Sequence, residues 1–80
     1  MPRVFNKDGY LFFFYSNDHL PIHVHVRKGG GEAVFNIGEE IELREAVGLK
    51  VKELARAEEL ANEHRTLIVQ KWNENANRHS

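Results

Sequence analysis

The chain has 80 residues, of which 41% are hydrophobic and 29% charged, with a net charge of −1 and no cysteine. This length allows a single domain over residues 1–80, and the lack of cysteine excludes disulfide bridges and thiolate chemistry. No segment is long and apolar enough to predict a membrane span, and no signal peptide is recognised. We therefore expect a cytoplasmic protein that does not contact a membrane.

Charge is distributed unevenly along the chain. Residues 1–31 hold four Lys or Arg and two Asp, a net charge of +2, whereas residues 32–80 hold seven Lys or Arg and ten Glu, a net charge of −3. The small overall charge argues against nucleic-acid binding by the whole surface. The basic first part still permits binding of an anion at one place.

Two strands are predicted before the first loop. Residues 3–5 form a short strand candidate, and residues 6–9 have the composition of a turn. Residues 10–15 are aromatic on both faces of a strand, so both faces should be covered, by the domain itself or by a partner. Residues 16–21 form a loop, because the proline at its end favours an extended chain before the next strand.

A β-hairpin is predicted around the glycine turn at residues 29–31. Strand 22–28 then returns as strand 32–37, and pairing about Gly29 and Gly30 places the apolar pairs on one face. A slip of one residue would mix the two faces. The predicted pairs are Ile22–Ile37, His23–Asn36, Val24–Phe35, His25–Val34, Val26–Ala33 and Arg27–Glu32.

The remaining residues predict an edge strand and a helix. Residues 40–44 alternate between charged and apolar side chains, which is typical of a half-exposed edge strand, and residues 45–49 are read as a connection. From about residue 50 to 74 the apolar period is helical, and residues 75–80 should fray. The predicted fold is α+β, with an antiparallel sheet of four to five strands (about 3–44) and one long C-terminal helix packed on one face.

Single residues of the helix also receive structural roles. His64 lies in the apolar stripe that packs on the sheet, so it is predicted to be a core-edge histidine with one hydrogen bond. Arg65 borders that stripe and is predicted to pair with a glutamate such as Glu42. Trp72 is predicted to anchor the last helical turns. The cap at Lys50 is predicted to be weak, because Ser, Thr or Asp is favoured there.

Motifs spread over nearly the whole chain carry a family resemblance. They are Gly9-Tyr10, Phe12-Phe13-Phe14-Tyr15-Ser16-Asn17, Pro21 with His23-Val24-His25-Val26, the glycine turn with Glu32-Ala33, and, in the helix, Gly48-Leu49, Glu53-Leu54, Arg65 and Trp72. The chain resembles a family of small bacterial proteins catalogued as domain of unknown function 4160. Genes of that family often lie beside a second small gene. The resemblance therefore implies one component of a two-protein, toxin–antitoxin-like module. The chain departs from the family pattern at Ile22, where a second proline is common, and at Lys50-Val51, where Ser-Pro is common.

The polar face of the hairpin permits a metal site. Alternate residues of a strand lie about 6–7 Å apart on the same face, so His23 and His25 could hold one divalent ion. His19 or Glu32 would have to supply further ligands, and only two ligands have a defined geometry. We therefore expect no cofactor, and if a metal binds, we expect it at His23 and His25.

Acid–base catalysis on RNA is a second alternative. Histidine titrates near neutral pH, so His23 and His25 could act as base and acid in a metal-independent ribonuclease-like enzyme. Arg27 or Lys28 could stabilise the phosphate, and Tyr15 could orient the substrate. Any face rich in histidine and arginine contains these groups, so the pattern is not specific.

A noncatalytic binding face is the leading interpretation. If Tyr15 lies opposite His23, then Phe13 lies opposite His25 and Leu11 opposite Arg27. Such an aromatic, imidazole and guanidinium surface suits nucleic-acid bases and phosphates, a small cognate partner protein, or a second copy of the chain. We expect catalysis, if any, at His23, His25 and Arg27, and binding at Phe13, Tyr15, His19, Lys28, Glu32 and Asn36.

Overall fold

Five antiparallel strands and two helices make up the part of the chain that the computed structural model describes, which is residues 3–15 and 19–77. The strands are β1 (Arg3–Lys7), β2 (Tyr10–Phe13), β3 (His23–Lys28), β4 (Gly31–Ile37) and β5 (Ile41–Val47), followed by α1 (Val51–Glu63) and α2 (Arg65–Asn77). Sequential strands are neighbours in the order β1-β2-β3-β4-β5. The α+β class and the antiparallel sheet are as predicted.

The β3–β4 hairpin has the predicted register. His23 pairs with Asn36, His25 with Val34 and Arg27 with Glu32, and the intervening apolar residues pair as expected. Beyond the ladder, the Ile37 amide donates to the Ile22 carbonyl at 2.8 Å. The turn lies at Gly29-Gly30, where Gly29 has a φ of +57° that residues with a side chain rarely adopt.

The core lies between the helices and one face of the sheet. Phe12 and Phe35 from the sheet are almost completely buried, and each contributes roughly 1.5–3 kcal/mol through transfer from water. From the helical layer, Ala57 and Ala61 have no exposed surface, and their small side chains allow the backbone of α1 to approach the sheet. Phe14, Val24, Val26, Ala33, Ile37, Leu60, Ile68 and Trp72 belong to the same cluster.

The predicted single long helix is wrong, because the helix is interrupted at His64. His64 has φ −109° and ψ 20°, outside helical values, and α2 begins at the next residue. Its Nδ1–H donates to the Leu60 carbonyl at 2.9 Å, as expected of a core-edge histidine. Its ring stacks on Phe5 with the centroids 4.1 Å apart. This contact holds the turn residue against β1, so α1 contacts β4 and β5 whereas α2 contacts β1.

The last strand is longer than predicted. Residues 45–47, expected in a connection, pair with β4 as Val34–Glu45, Ala33–Ala46 and Glu32–Val47. The register shifts between Val34 and Phe35, so Arg44 is an extra residue in β5. A bulge of this kind changes the phase of the alternation, which is why the pattern of residues 40–44 does not continue.

Contacts at the ends of the helical layer also differ from expectation. Arg65 does not pair with Glu42; its guanidinium donates to the Glu39 carbonyl at 2.8 Å and to the Gly38 carbonyl, and so fastens the β4–β5 turn. At the start of α1, the Glu53 carboxylate accepts the Lys50 amide at 2.9 Å. At the other end, α2 extends to Asn77, beyond the predicted start of fraying at residue 75, and residues 78–80 lie outside the described residues.

None of the described helices combines the length and the apolar character that crossing a bilayer requires.

Candidate binding face

The sheet face opposite α1 and α2, here called the helix-free face, carries most of the predicted site residues. Strand pairing sets them in two rows across the sheet, because partners in an antiparallel pair share a face. One row is Leu11, Arg27, Glu32 and Val47, and the next is Phe13, His25, Val34 and Glu45. The predicted pairs Leu11–Arg27 and Phe13–His25 are therefore confirmed.

Phe13 forms the floor of this face and is not part of its surface. Its side chain is 0% exposed, although no helix covers it. The Tyr15 ring meets it edge-on and the His25 ring stacks on it, both with centroids 5.4 Å away. The Arg27 guanidinium carbon lies 5.1 Å from its ring centroid. The expected binding surface therefore does not include an exposed Phe13 ring, because neighbouring long side chains fold over it.

Tyr15 and His25 form the accessible part of the aromatic surface. β2 ends at Phe13, so Tyr15 does not continue the ladder opposite His23 as predicted. Its ring instead contacts His25, with centroids 4.5 Å apart, and 41% of Tyr15 is exposed. A flat, half-exposed aromatic side chain beside an imidazole is well suited to contact another molecule.

His23 is buried at the start of β3, in contact with Trp72 of α2. Only 6% of it is exposed, and its ring contacts both His25 (5.2 Å between centroids) and Trp72 (5.3 Å). Its Nδ1 lies 2.8 Å from the Pro21 carbonyl, and because a carbonyl only accepts, Nδ1 carries the proton. The prediction of a row of exposed histidines therefore fails at His23, whereas Trp72 both anchors the core and contacts the site.

Arg27 and Glu32 form a half-exposed pair beside Tyr15. The Arg27 guanidinium and the Tyr15 hydroxyl each lie 3.5 Å from Glu32 Oε1. With side chains 46% and 43% exposed, solvent screens the ion pair, and such pairs contribute up to about 1 kcal/mol. The pair leaves both side chains accessible to a ligand.

Two predicted site residues lie away from the helix-free face, and a third lies on it with a buried amide oxygen. Lys28 lies on the helix-covered face, where its ammonium donates to the Asp8 carbonyl at 3.0 Å and sits 4.8 Å from the Tyr10 ring centroid. His19 lies exposed in the loop before Pro21. Asn36 is on the helix-free face, and its Oδ1 is buried with no hydrogen-bond partner among the described residues.

A concavity of about 240 Å³ lies between Tyr15 and β5. We call it the β5 concavity. Sequence reasoning missed Glu45 and Val47 in its wall, because residues 45–49 were read as a connection. The alternation of Glu45, Ala46 and Val47 could have indicated a strand, shifted by one residue relative to the alternation of residues 40–44. The concavity is lined by Tyr15, His25, Glu32, Ala33, Val34, Glu45, Ala46 and Val47.

The metal alternative has two close imidazoles, and no third ligand lies near them among the residues that the structure describes. Within residues 3–15 and 19–77, no three His, Asp or Glu side chains are grouped closely enough to hold a metal ion. His19, proposed as a further ligand, lies exposed in its loop. Glu32 is engaged by Arg27 and Tyr15.

Comparison with known proteins identifies a family. The family model described as Domain of unknown function (DUF4160) matches residues 9–73 of the 80 residues. Searches of curated proteins and of solved structures found no match. The matched range begins one residue before β2 and ends in α2, one residue after Trp72. It therefore contains His23, His25 and the whole β5 concavity. The chain therefore belongs to the DUF4160 family.

Proposed function

We propose that this chain is the protein-binding component of a small two-protein, toxin–antitoxin-like module in the cytoplasm, and that the helix-free face contacts the partner. One observation carries the proposal: both helices pack on the same face of the sheet. The opposite face keeps Tyr15 41% exposed and Val47 73% exposed, beside charged side chains. Aromatic and aliphatic side chains with a polar surround are typical of protein interfaces.

The charges on this face favour a protein over a nucleic acid. Glu32, Glu42 and Glu45 lie on the helix-free face by their pairing. They outnumber the two arginines that pair onto the same face, Arg3 and Arg27. Carboxylates repel phosphate groups, and affinity for nucleic acid comes mainly from cations on phosphates. Lys28, the other cation predicted to bind, points to the opposite face.

Substitution of two exposed valines tests this proposal. Val47 lies on the helix-free face, whereas Val51 lies at the start of α1, and they are 73% and 84% exposed. We expect Val47→Lys to weaken binding of the protein encoded by the adjacent gene at least tenfold, because the ammonium group must be desolvated in the interface. Val51→Lys is the matched control and should bind normally. The partner is obtained by co-expression, and its binding to each variant is measured by calorimetry. Equal binding by both variants would contradict the proposal.

A metal-independent ribonuclease-like activity is the second candidate. The centroids of the His23 and His25 rings lie 5.2 Å apart, and the Nδ1–H of His23 donates to the Pro21 carbonyl, so two imidazoles, a group suited to acid–base chemistry, lie side by side. His25→Gln tests it better than a change at buried His23. If His25→Gln folds and binds the partner but loses cleavage of an RNA oligonucleotide in the presence of EDTA, the protein is catalytic and the view that it only binds fails.

Divalent-metal binding through His23 and His25 is tested separately. If the two histidines bind zinc, titration with zinc should release heat above that of buffer dilution in the wild-type protein and not in His25→Gln. The absence of heat in the wild-type protein would remove this alternative.

A further inference from the structure

We infer that the β5 concavity binds one cationic side chain, arginine or lysine, of the partner protein. The inference rests on the proposed function and names the chemistry of the partner at that face. The concavity measures about 240 Å³, below the range of about 300–1,000 Å³ that is usual for small-molecule sites. Its size therefore suits a single side chain.

Its charge is negative and only partly compensated. Glu32 and Glu45 both line the concavity. Arg27 lies 3.5 Å from Glu32, but no cation among the described residues lies within ion-pair distance of the Glu45 carboxylate. A cation brought by the partner would meet Glu45 directly, in a site partly shielded from water where attraction is stronger than on an open surface.

The other walls suit the rest of such a side chain. The half-exposed ring of Tyr15 can receive a guanidinium or ammonium group over its face. Val34 and Val47 supply aliphatic surface for the methylene groups. A guanidinium group between an aromatic ring and a carboxylate already occurs beside the concavity. The Arg27 guanidinium lies 5.1 Å from the Phe13 ring centroid and 3.5 Å from the Glu32 carboxylate.

The strand geometry adds a reason why the partner can reach this place. β5 is the edge of the sheet, and Val47 at its end is 73% exposed. A partner segment beside this edge can insert one side chain between Tyr15 and Val47 without moving either helix, because both helices lie on the other face.

Nuclear magnetic resonance titration of the full 80-residue protein tests the inference. The probe is N-acetyl-L-arginine amide, and the matched neutral probe is N-acetyl-L-citrulline amide, which has the same shape without the charge. We expect saturable shifts at the Val34, Glu45 and Val47 amides with arginine, with a Kd on the order of 10 mM, as one screened ion pair and one cation–π contact allow. Citrulline should leave these amides unmoved.

Two carboxamide variants give the residue-level control. Glu45→Gln should weaken arginine binding about fivefold, as expected for the loss of an interaction of about 1 kcal/mol. Glu40→Gln removes an exposed carboxylate outside the concavity and should bind as wild type. Equal shifts with citrulline, or wild-type affinity of Glu45→Gln for arginine, overturn the inference.

The partner assay separates this inference from the proposed function. If Val47→Lys weakens partner binding and Glu45→Gln does not, the helix-free face binds the partner but the cationic side chain does not enter the concavity. If arginine binds through Glu45 while Val47→Lys leaves partner binding intact, the concavity is a cation site and the proposed function fails. Loss of partner binding in both variants supports both.

Discussion

Arg56 of α1 donates a hydrogen bond to the carboxylate of Asp8 in the β1–β2 turn, with 2.7 Å between Nη2 and Oδ2. The bond joins the helical layer to a turn in which Asp8 adopts a φ of +53°. The same turn offers the Asp8 carbonyl to Lys28 at 3.0 Å. The hydrogen bond from Arg56 also lowers the pKa of Asp8 below its ordinary value.

Asp8→Asn should make stability less dependent on acid pH. Because the folded pKa of Asp8 is lowered, its ionised form stabilises the protein above the ordinary pKa of 3.8, and this contribution is lost as the pH falls through the folded value. Asparagine tolerates the positive φ, so the variant changes charge and little else. We expect a lower Tm than wild type at pH 7, and equal Tm values once the Asp8 carboxyl of the wild-type protein is protonated. Since the pair is exposed, 1 M NaCl should narrow the difference at pH 7; an unchanged difference in acid would contradict this prediction.

Gly31→Ala should destabilise the sheet, whereas Gly30→Ala should not. A Cβ at Gly31 would press on the Gly48 carbonyl and lie 2.6 Å from Cδ2 of Leu49, but a Cβ at Gly30 meets nothing within 4 Å. Overpacking of this kind costs about 1–3 kcal/mol. Urea denaturation of the two variants measures the free energy of unfolding. Equal values would show that the β4 and β5 backbones separate easily at this point.

Local patterning was enough to predict the hairpin and the core strands. Val24 and Val26 alternate with His23 and His25, and one register alone matches the apolar pairs with Ala33, Phe35 and Ile37. Pattern is sufficient here because a slip of one residue would turn every side chain to the wrong face.

Tertiary contacts decided what the pattern could not predict. At the interruption, His64 stacks on Phe5, which lies 59 positions earlier in the chain. The periodicity of the helix sequence gives no information about so distant a contact. The burial of Phe13 depends on Tyr15 and Arg27 folding over it. Sequence placed Phe13 on the correct face of the strand, but a face without a helix was taken to be exposed.

Arg65→Lys should loosen the β4–β5 turn. The two guanidinium nitrogens of Arg65 donate to successive carbonyls, those of Gly38 and Glu39, and one ammonium group cannot reproduce that fork. We expect faster amide hydrogen exchange at residues 38–41 and a loss of about 1 kcal/mol in the free energy of unfolding. Exchange at the distant Gly29-Gly30 turn is the internal control. Unchanged exchange at residues 38–41 would mean that the turn holds without the guanidinium.

His23→Ala should reduce stability, and this limits its use as a test of function. The variant removes a side chain that is 94% buried, together with its hydrogen bond to Pro21 and its contact with Trp72. We expect a loss of about 1–3 kcal/mol in the free energy of unfolding, measured by urea denaturation. His23→Asn can keep a donor near Pro21, so it should lose less than the alanine variant. A wild-type value for His23→Ala would show that this burial contributes nothing.

The ring contact between Trp72 and His23 gives the protein an optical reporter of its candidate binding face. Trp72 is the one tryptophan of the sequence, and His23 links it by ring contacts to His25 and Tyr15. Excitation at wavelengths selective for tryptophan therefore monitors a residue two ring contacts away from the wall of the β5 concavity. Occupation of the concavity can be followed in the unlabelled protein by the intensity and wavelength of tryptophan emission.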